Sequence, residues 1–305
     1  MTYSSGNTIL ATDYNSFVAT VNTVIGDSAS YKSGSGYGQS TISTVAASAT
    51  VSASSWATLI TAVKAAATHQ GTSVDLPASN PSATDTITAF DGSVGSDTFN
   101  LSSAVSDISS NANNVDASQQ TTVAASATNA RSGTWGSGGS ETIDAEFYAQ
   151  FASQAATDAW FNTGGEIHLT FQHASGSTSQ DDDWRDIFAN KIGTLKLQKT
   201  AIARSGSSGT IAAFGYTSLT GSYQNIYTGT NLGGGAYAAN DVTVQSKLDE
   251  TNHRVYFNVS LVDQSVAISP STADTVATGT AVSTGFRKST GYNPSNPSIT
   301  VVSGF

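Results

Sequence analysis

Glu166 and His168 stand two residues apart in the string EIHLTFQH, and three consecutive carboxylates, Asp181, Asp182 and Asp183, follow shortly after. On a strand that spacing turns both side chains to one face, and a carboxylate, an imidazole and further acids are donors a divalent cation accepts. No motif fixes the ligand spacing, however. The plainer reading makes Glu166, His168, Thr170 and Gln172 the solvated face of a sheet, and makes the acidic triplet the opening of a helix, where carboxylates favour the dipole and the caps. His69, in the string HQG, sits where a helix would end, a favourable place for an imidazole. His173 and His253 have no partner at a recognised catalytic spacing, and no GxSxG elbow accompanies the many serines. The glycine strings GSGYG and NLGGGAY lack the strand, loop and lysine of a phosphate cradle, and read as turns. These residues point to no catalytic side chain, no cofactor and no bound metal.

Aromatic side chains are more suggestive. Tyr37, Tyr216, Tyr223, Tyr227 and Tyr237 lie among Gly, Ser and Asn in stretches that read as loops. Tyrosines so placed suit a sugar-binding or paratope-like surface. They suit a subunit interface as well, and the general enrichment of aromatic residues at interfaces favours that second use.

Composition bounds the alternatives. Charged residues make up 11% of the 305, far below the roughly one quarter of ordinary domains, and small uncharged residues replace them. With only 5 prolines and little charge the chain lacks the usual marks of disorder. Cysteine is absent, which excludes disulfides, thiolate metal sites and a cysteine nucleophile. The net charge of −10, with 12 Lys and Arg that do not cluster with aromatics, argues against a nucleic-acid partner. No apolar run approaches the ~20 residues of a membrane span. The opening MTYSSGNTIL lacks the form of a signal peptide, so the expectation is a product made soluble in the cytoplasm.

The elements that would position these residues begin with an internal repeat. Residues 8–22, TILATDYNSFVATVN, align with residues 50–64, TVSASSWATLITAVK, pairing Tyr14 with Trp56, Phe17 with Leu59, Val18 with Ile60 and Val21 with Val63. The apolar members recur at i, i+3, i+4 and i+7, the stripe of an amphipathic helix. Thr12 and Ser54 are the expected N-caps, and Gly26 and Gly71 the expected ends. A third helix carries Leu101, Val105 and Ile108, with Val115 in line. The polar stretch from Ala112 to Gly139 reads as a connection or exposed arm. Beyond it the period drops to two. Ile143, Ala145, Phe147, Ala149 and Phe151 alternate, as do Val255, Phe257, Val259 and Leu261. The expectation is an α+β chain: a helical domain over residues 1–125, a linker over 126–139, and a mainly antiparallel, sandwich-like β domain with one or two helices over 140–305.

Several strings carry a family likeness. YSSGNTILATDYNSFVATVNTVIG, then GYGQS, then SWATLITAVKAAATHQGT resemble the N-terminal part of virion structural proteins of tailed bacteriophages, especially the contractile-tailed, T4-like phages of marine cyanobacteria. ATDAWFNTGGEIHLT, with its aromatic pair before Asn and Gly-Gly, resembles a C-terminal module of the same group, as do DDDWRDIF and NVSLVDQS. The likeness implies a non-enzymatic component of the virion, in tail, neck or appendage, whose partners are further copies of itself and other virion proteins. A receptor- or glycan-binding tail-fibre or decoration protein, with a host surface glycan as partner, is the alternative.

Overall fold

The computed structural model describes residues 10–27, 32, 34–82, 93–94, 97–98, 100–136, 140–264 and 275–305. Thr8 and Ile9 of the repeat, and parts of the Gly/Ser-rich connection and of segment 126–139, lie outside them. The fold is α+β. The chain divides into two units, one formed by Met1–Thr121, Asp158–Gly164 and Ser289–Pro294, the other by Thr122–Thr157, Gly165–Lys288 and Ser295–Phe305.

In the first unit, α1 (Ala11–Ile25), α2 (Ala53–Gln70) and α3 (Leu101–Ser110) pack together, with a short hairpin of β1 (Ser93–Val94) and β2 (Asp97–Thr98) before α3. The two copies of the repeat share one core. Tyr14, Val18 and Val21 meet Trp56, Leu59, Ile60 and Val63, and Leu101, Val105 and Ile108 close the cluster. The Tyr14 and Trp56 rings meet edge to face, 5.3 Å between centroids. The caps differ from expectation. Thr12 lies inside α1, which begins after Leu10 with no side-chain cap, and Ser52 rather than Ser54 caps α2 by accepting from the Ser55 N–H. Helix ends are set by local backbone and capping geometry, which periodicity does not locate. Gly71 ends α2 in the left-handed region at φ 68°, where a Cβ is penalised. Two asparagines one heptad apart on α1 then tie down the following chain. Asn15 exchanges hydrogen bonds with both backbone groups of Val45, and Asn22 does the same with Ile42, all between 2.7 and 2.9 Å.

The β-rich remainder is built from β3 (Gln120–Ala130), β4 (Glu141–Gln150), α4 (Gln154–Asn162), β5 (Glu166–His173), α5 (Ser179–Asp186), β6 (Thr194–Leu197), β7 (Ile202–Arg204), β8 (Thr210–Ile211), β9 (Gln224–Gly229), β10 (Asp241–Asp249), β11 (Arg254–Asp263), β12 (Thr280–Ser289) and β13 (Ser298–Ser303). A six-stranded sheet runs β13-β4-β11-β10-β9-β8 and a five-stranded one β3-β12-β5-β6-β7, a sandwich-like antiparallel arrangement. Alternation dictates the buried faces. Ile143, Ala145, Phe147 and Ala149 of β4 and Val255, Phe257, Val259 and Leu261 of β11 are all interior, and Phe147 pairs with Phe257, their rings 5.6 Å apart. Each of the Ile, Val, Leu and Phe side chains among them contributes about 1.5–3 kcal/mol by leaving water.

Segment 126–139, expected as a linker, is structured where it is described. β3 runs through it to Ala130, and Trp135 is buried and bridges Val276. A strand of Thr, Ala, Ser and Asn has too little apolar contrast for its period to show, and one tryptophan in a polar stretch makes no pattern. The expected β domain over 140–305 is likewise interrupted, because residues 158–164 and 289–294 belong to the helical unit.

Candidate functional site

Parity decides the fate of the histidines on β5. Ile167, Leu169, Phe171 and His173 share the buried face, so His173 is interior together with its apolar neighbours. Its Nε2 lies 2.9 Å from Asp181 Oδ1 and its Nδ1 3.1 Å from Thr280 Oγ1. The Trp135 indole N–H donates to that same Thr280 oxygen at 3.1 Å. A consistent chain of donors follows: the indole to the hydroxyl, the hydroxyl to Nδ1, and Nε2–H to the carboxylate. Asp181 also accepts from the Ala277 N–H at 2.8 Å and from the Thr178 N–H and hydroxyl at 2.9 and 2.8 Å. Burial pushes the Asp181 carboxyl up, but these donors outweigh it and hold it below the ordinary range.

Thr280, His173 and Asp181 thus stand in the order of a hydroxyl, a base and an acid. The hydroxyl, however, is spoken for by the indole, and all three residues are buried (0%, 6% and 0% exposed), so an acyl substrate has no approach to Thr280. The arrangement ties β5, β12 and the start of α5 to one another. The acidic triplet splits three ways. Asp181 forms a capping box with Thr178 at the N-terminus of α5, the role expected of a carboxylate there. Asp182 pairs with Arg185. Asp183 accepts from the Gly234 N–H at 2.7 Å and the Asn240 amide at 3.2 Å, which secures the NLGGGAY turn.

Glu166 and His168 do meet, Oε2 to Nε2 at 2.7 Å, and the Gln198 amide donates to Oε1 at 2.7 Å. The solvated-face reading holds for Thr170 and Gln172, which are exposed, and fails for Glu166, which is buried. Burial raises the Glu166 carboxyl, and the hydrogen bonds from His168 and Gln198 with the charges of His168 and Lys196 bring it net below its usual range. Among the described residues no group of three or more His, Asp or Glu is placed to hold a metal ion.

In the helical unit His69 is buried, with Tyr37 and Tyr292 set edge to its ring at 5.0 and 4.9 Å and Ser289 Oγ 3.4 Å from its Nδ1. Burial lowers its pKa to about 4. Tyr37, burial-shifted up to about 12, donates to the Ala112 carbonyl at 2.9 Å and accepts from Gln70 at 2.9 Å.

The loop tyrosines expected at an interface or ligand surface are mostly core. Tyr37, Tyr216, Tyr227 and Tyr237 are 1%, 1%, 0% and 6% exposed. Gly/Ser/Asn surroundings suggested loops; Tyr37 and Tyr223 do lie in irregular segments, whereas Tyr216 and Tyr237 lie in single 3₁₀ turns and Tyr227 in β9. Only Tyr223 remains half-buried, its hydroxyl donating to Glu146. Two tyrosines that the sequence reading passed over join it on the outer face of the six-stranded sheet. Tyr148 and Tyr256 are cross-strand partners 5.1 Å apart, Lys247 lies over Tyr223 and Tyr256 at 4.3 and 4.7 Å, and Arg254 lies over Tyr148 at 4.4 Å. Their signal was present: each occupies a solvent-parity position of a strand whose other parity is apolar. No family model, no curated protein and no solved structure matches this chain.

Proposed function

We propose that this chain is a non-enzymatic structural subunit of a tailed-phage virion, working through contacts with further copies of itself and with other virion proteins in tail, neck or appendage. The observation that carries the reading is what its polar side chains are used for. Among the described residues, polar side chains able to do chemistry are used to join parts of a unit: Trp135–Thr280–His173–Asp181 joins β5, β12 and α5, and Asp183 holds a turn. What is left for the outside is charge-poor surface, with 11% charged residues in the chain, suited to close packing against neighbours. The likeness of its strings to virion structural proteins supplies the particle.

A glycan-gripping subunit would need open aromatic faces. On the outer face of the six-stranded sheet Tyr148, Tyr223 and Tyr256 are half-exposed candidates among the described residues, and the cations of Lys247 and Arg254 already lie over them, which favours the structural reading. The test is the composition of gradient-purified particles from an infected culture that encodes this sequence, read by quantitative peptide mass spectrometry. A constant copy number per particle is expected. Accumulation in the lysate with none in the particle overturns the proposal.

A further inference from the structure

The six-stranded sheet ends on β13, whose outer edge pairs with no other described strand. Such an edge leaves N–H and C=O groups without a strand partner, here apart from the Ser303 carbonyl, which accepts from the Asn129 amide at 3.0 Å, and the ligand it fits is another strand. The described edges differ in how they are guarded. β8 is 2 residues long, and β7 has 3 residues and ends on Arg204. β3 is neutral but shows no exposed large apolar side chain. On β13, SITVVS carries no charge, no proline and no lysine, and Val301 and Val302 are 41% and 51% exposed, two of the three exposed large apolar side chains among the described residues. Regular pairing with β4 runs from Ser298 to Val301, and a bulge follows at Val302.

Resting on the reading of the chain as an assembly subunit, we propose that β13 is a self-association edge, which pairs antiparallel with β13 of a second copy about a two-fold axis at Thr300. In that register Thr300 faces Thr300, and Ile299 faces Val301 twice. All are β-branched cross-strand pairs, and the alternation of faces is preserved because paired residues differ by an even number of positions. The two six-stranded sheets then become one. Charge selects the partner. A basic strand would call for an acidic edge and an acidic strand for a basic one, whereas this edge is neutral on a chain of net charge −10. Two like-charged copies meet with least repulsion along it. An edge this short gives a weak contact, which repetition in an assembly strengthens.

The experiment is sedimentation velocity of the full chain over a concentration series, alongside Thr300→Lys, Thr300→Glu and an equimolar mixture of the two. Thr300 is exposed, so both variants keep the wild-type circular dichroism and melting temperature. Wild type dimerises. Each variant alone dissociates more readily, by up to about fivefold at low salt, because like charges stand opposite each other, and the mixture restores dimers. Association of wild type that neither charge nor mixing alters overturns the β13 edge while leaving an assembly subunit intact. A wild type that stays monomeric throughout overturns the edge as well, and particle composition then judges the wider reading separately.

Discussion

His173 and Asp181 face each other across 2.9 Å with both side chains withdrawn from water, and every other donor around the carboxylate is a backbone or hydroxyl group of a neighbouring turn. The pair sits where two strands and a helix start converge, so its loss is felt by all three. Asp181→Ala leaves His173 and the Ala277 and Thr178 N–H groups without their acceptor. Stability should fall by about 3–5 kcal/mol, because each buried donor left without an acceptor costs about 1–3 kcal/mol. Urea denaturation followed by tryptophan fluorescence measures this; a loss below about 1 kcal/mol would show that water replaces the carboxylate without strain.

The Tyr14–Trp56 contact tests the core of the helical unit. Trp56 is 5% exposed, and Trp56→Ala should lower stability by about 3–5 kcal/mol. An unchanged melting temperature would mean that the repeat helices do not depend on their shared aromatic pair.

His69 makes the stability of the helical unit depend on pH. Burial lowers its folded pKa from 6.5 to about 4, so between those values the unfolded chain binds a proton that the folded chain does not. Its contribution is complete above pH 6.5 and is lost as the pH falls towards 4, with a slope of up to ~1.4 kcal/mol per pH unit. Glu166 and Asp181, both lowered from ordinary values of 4.5 and 3.8, add losses in the same direction as the pH falls through those values, so Glu166 joins at the acid end of that window and Asp181 below it. The variant His69→Phe keeps the ring contacts and should flatten the profile from pH 6.5 to 4, as measured by urea melts at half-unit steps. An identical slope in the variant would place the titration elsewhere.

Tyr227 separates a core residue from a contact residue. Its ring is buried, its hydroxyl donates to the Ser208 carbonyl at 3.0 Å, and burial pushes its pKa up to about 12. Tyr227→Ala should cost about 3–5 kcal/mol. Tyr227→Phe, which removes only one hydrogen bond, should cost about 1 kcal/mol. Thermal melts of the two variants decide this, and a harmless Tyr227→Ala would return the residue to the surface.

Patterns repeated along the chain were legible without a structure. The i, i+3, i+4, i+7 stripes of α1 and α2 and the two-residue alternation of β4 and β11 follow from helix and strand geometry alone, so the α+β class and the interior positions of Trp56, Phe147 and Phe257 could be read directly. The capping role of Asp181 was legible too, since its bonds with Thr178 lie within one turn of it, whereas its bonds with His173 and Ala277 do not. What depends on residues distant in sequence was not. β3 lacks apolar contrast and is recognised by its place beside β12. His173 has no sequence neighbour that reveals its role, because Thr280 lies 107 positions away and becomes a partner only when β5 and β12 pair. The burial of Tyr37, Tyr216, Tyr227 and Tyr237 was illegible for the same reason: composition tells what a residue is flanked by, whereas burial depends on what folds over it. Local geometry is written in short-range periodicity. The sealing of a polar group, and the strand left open at a sheet edge, are settled by long-range pairing.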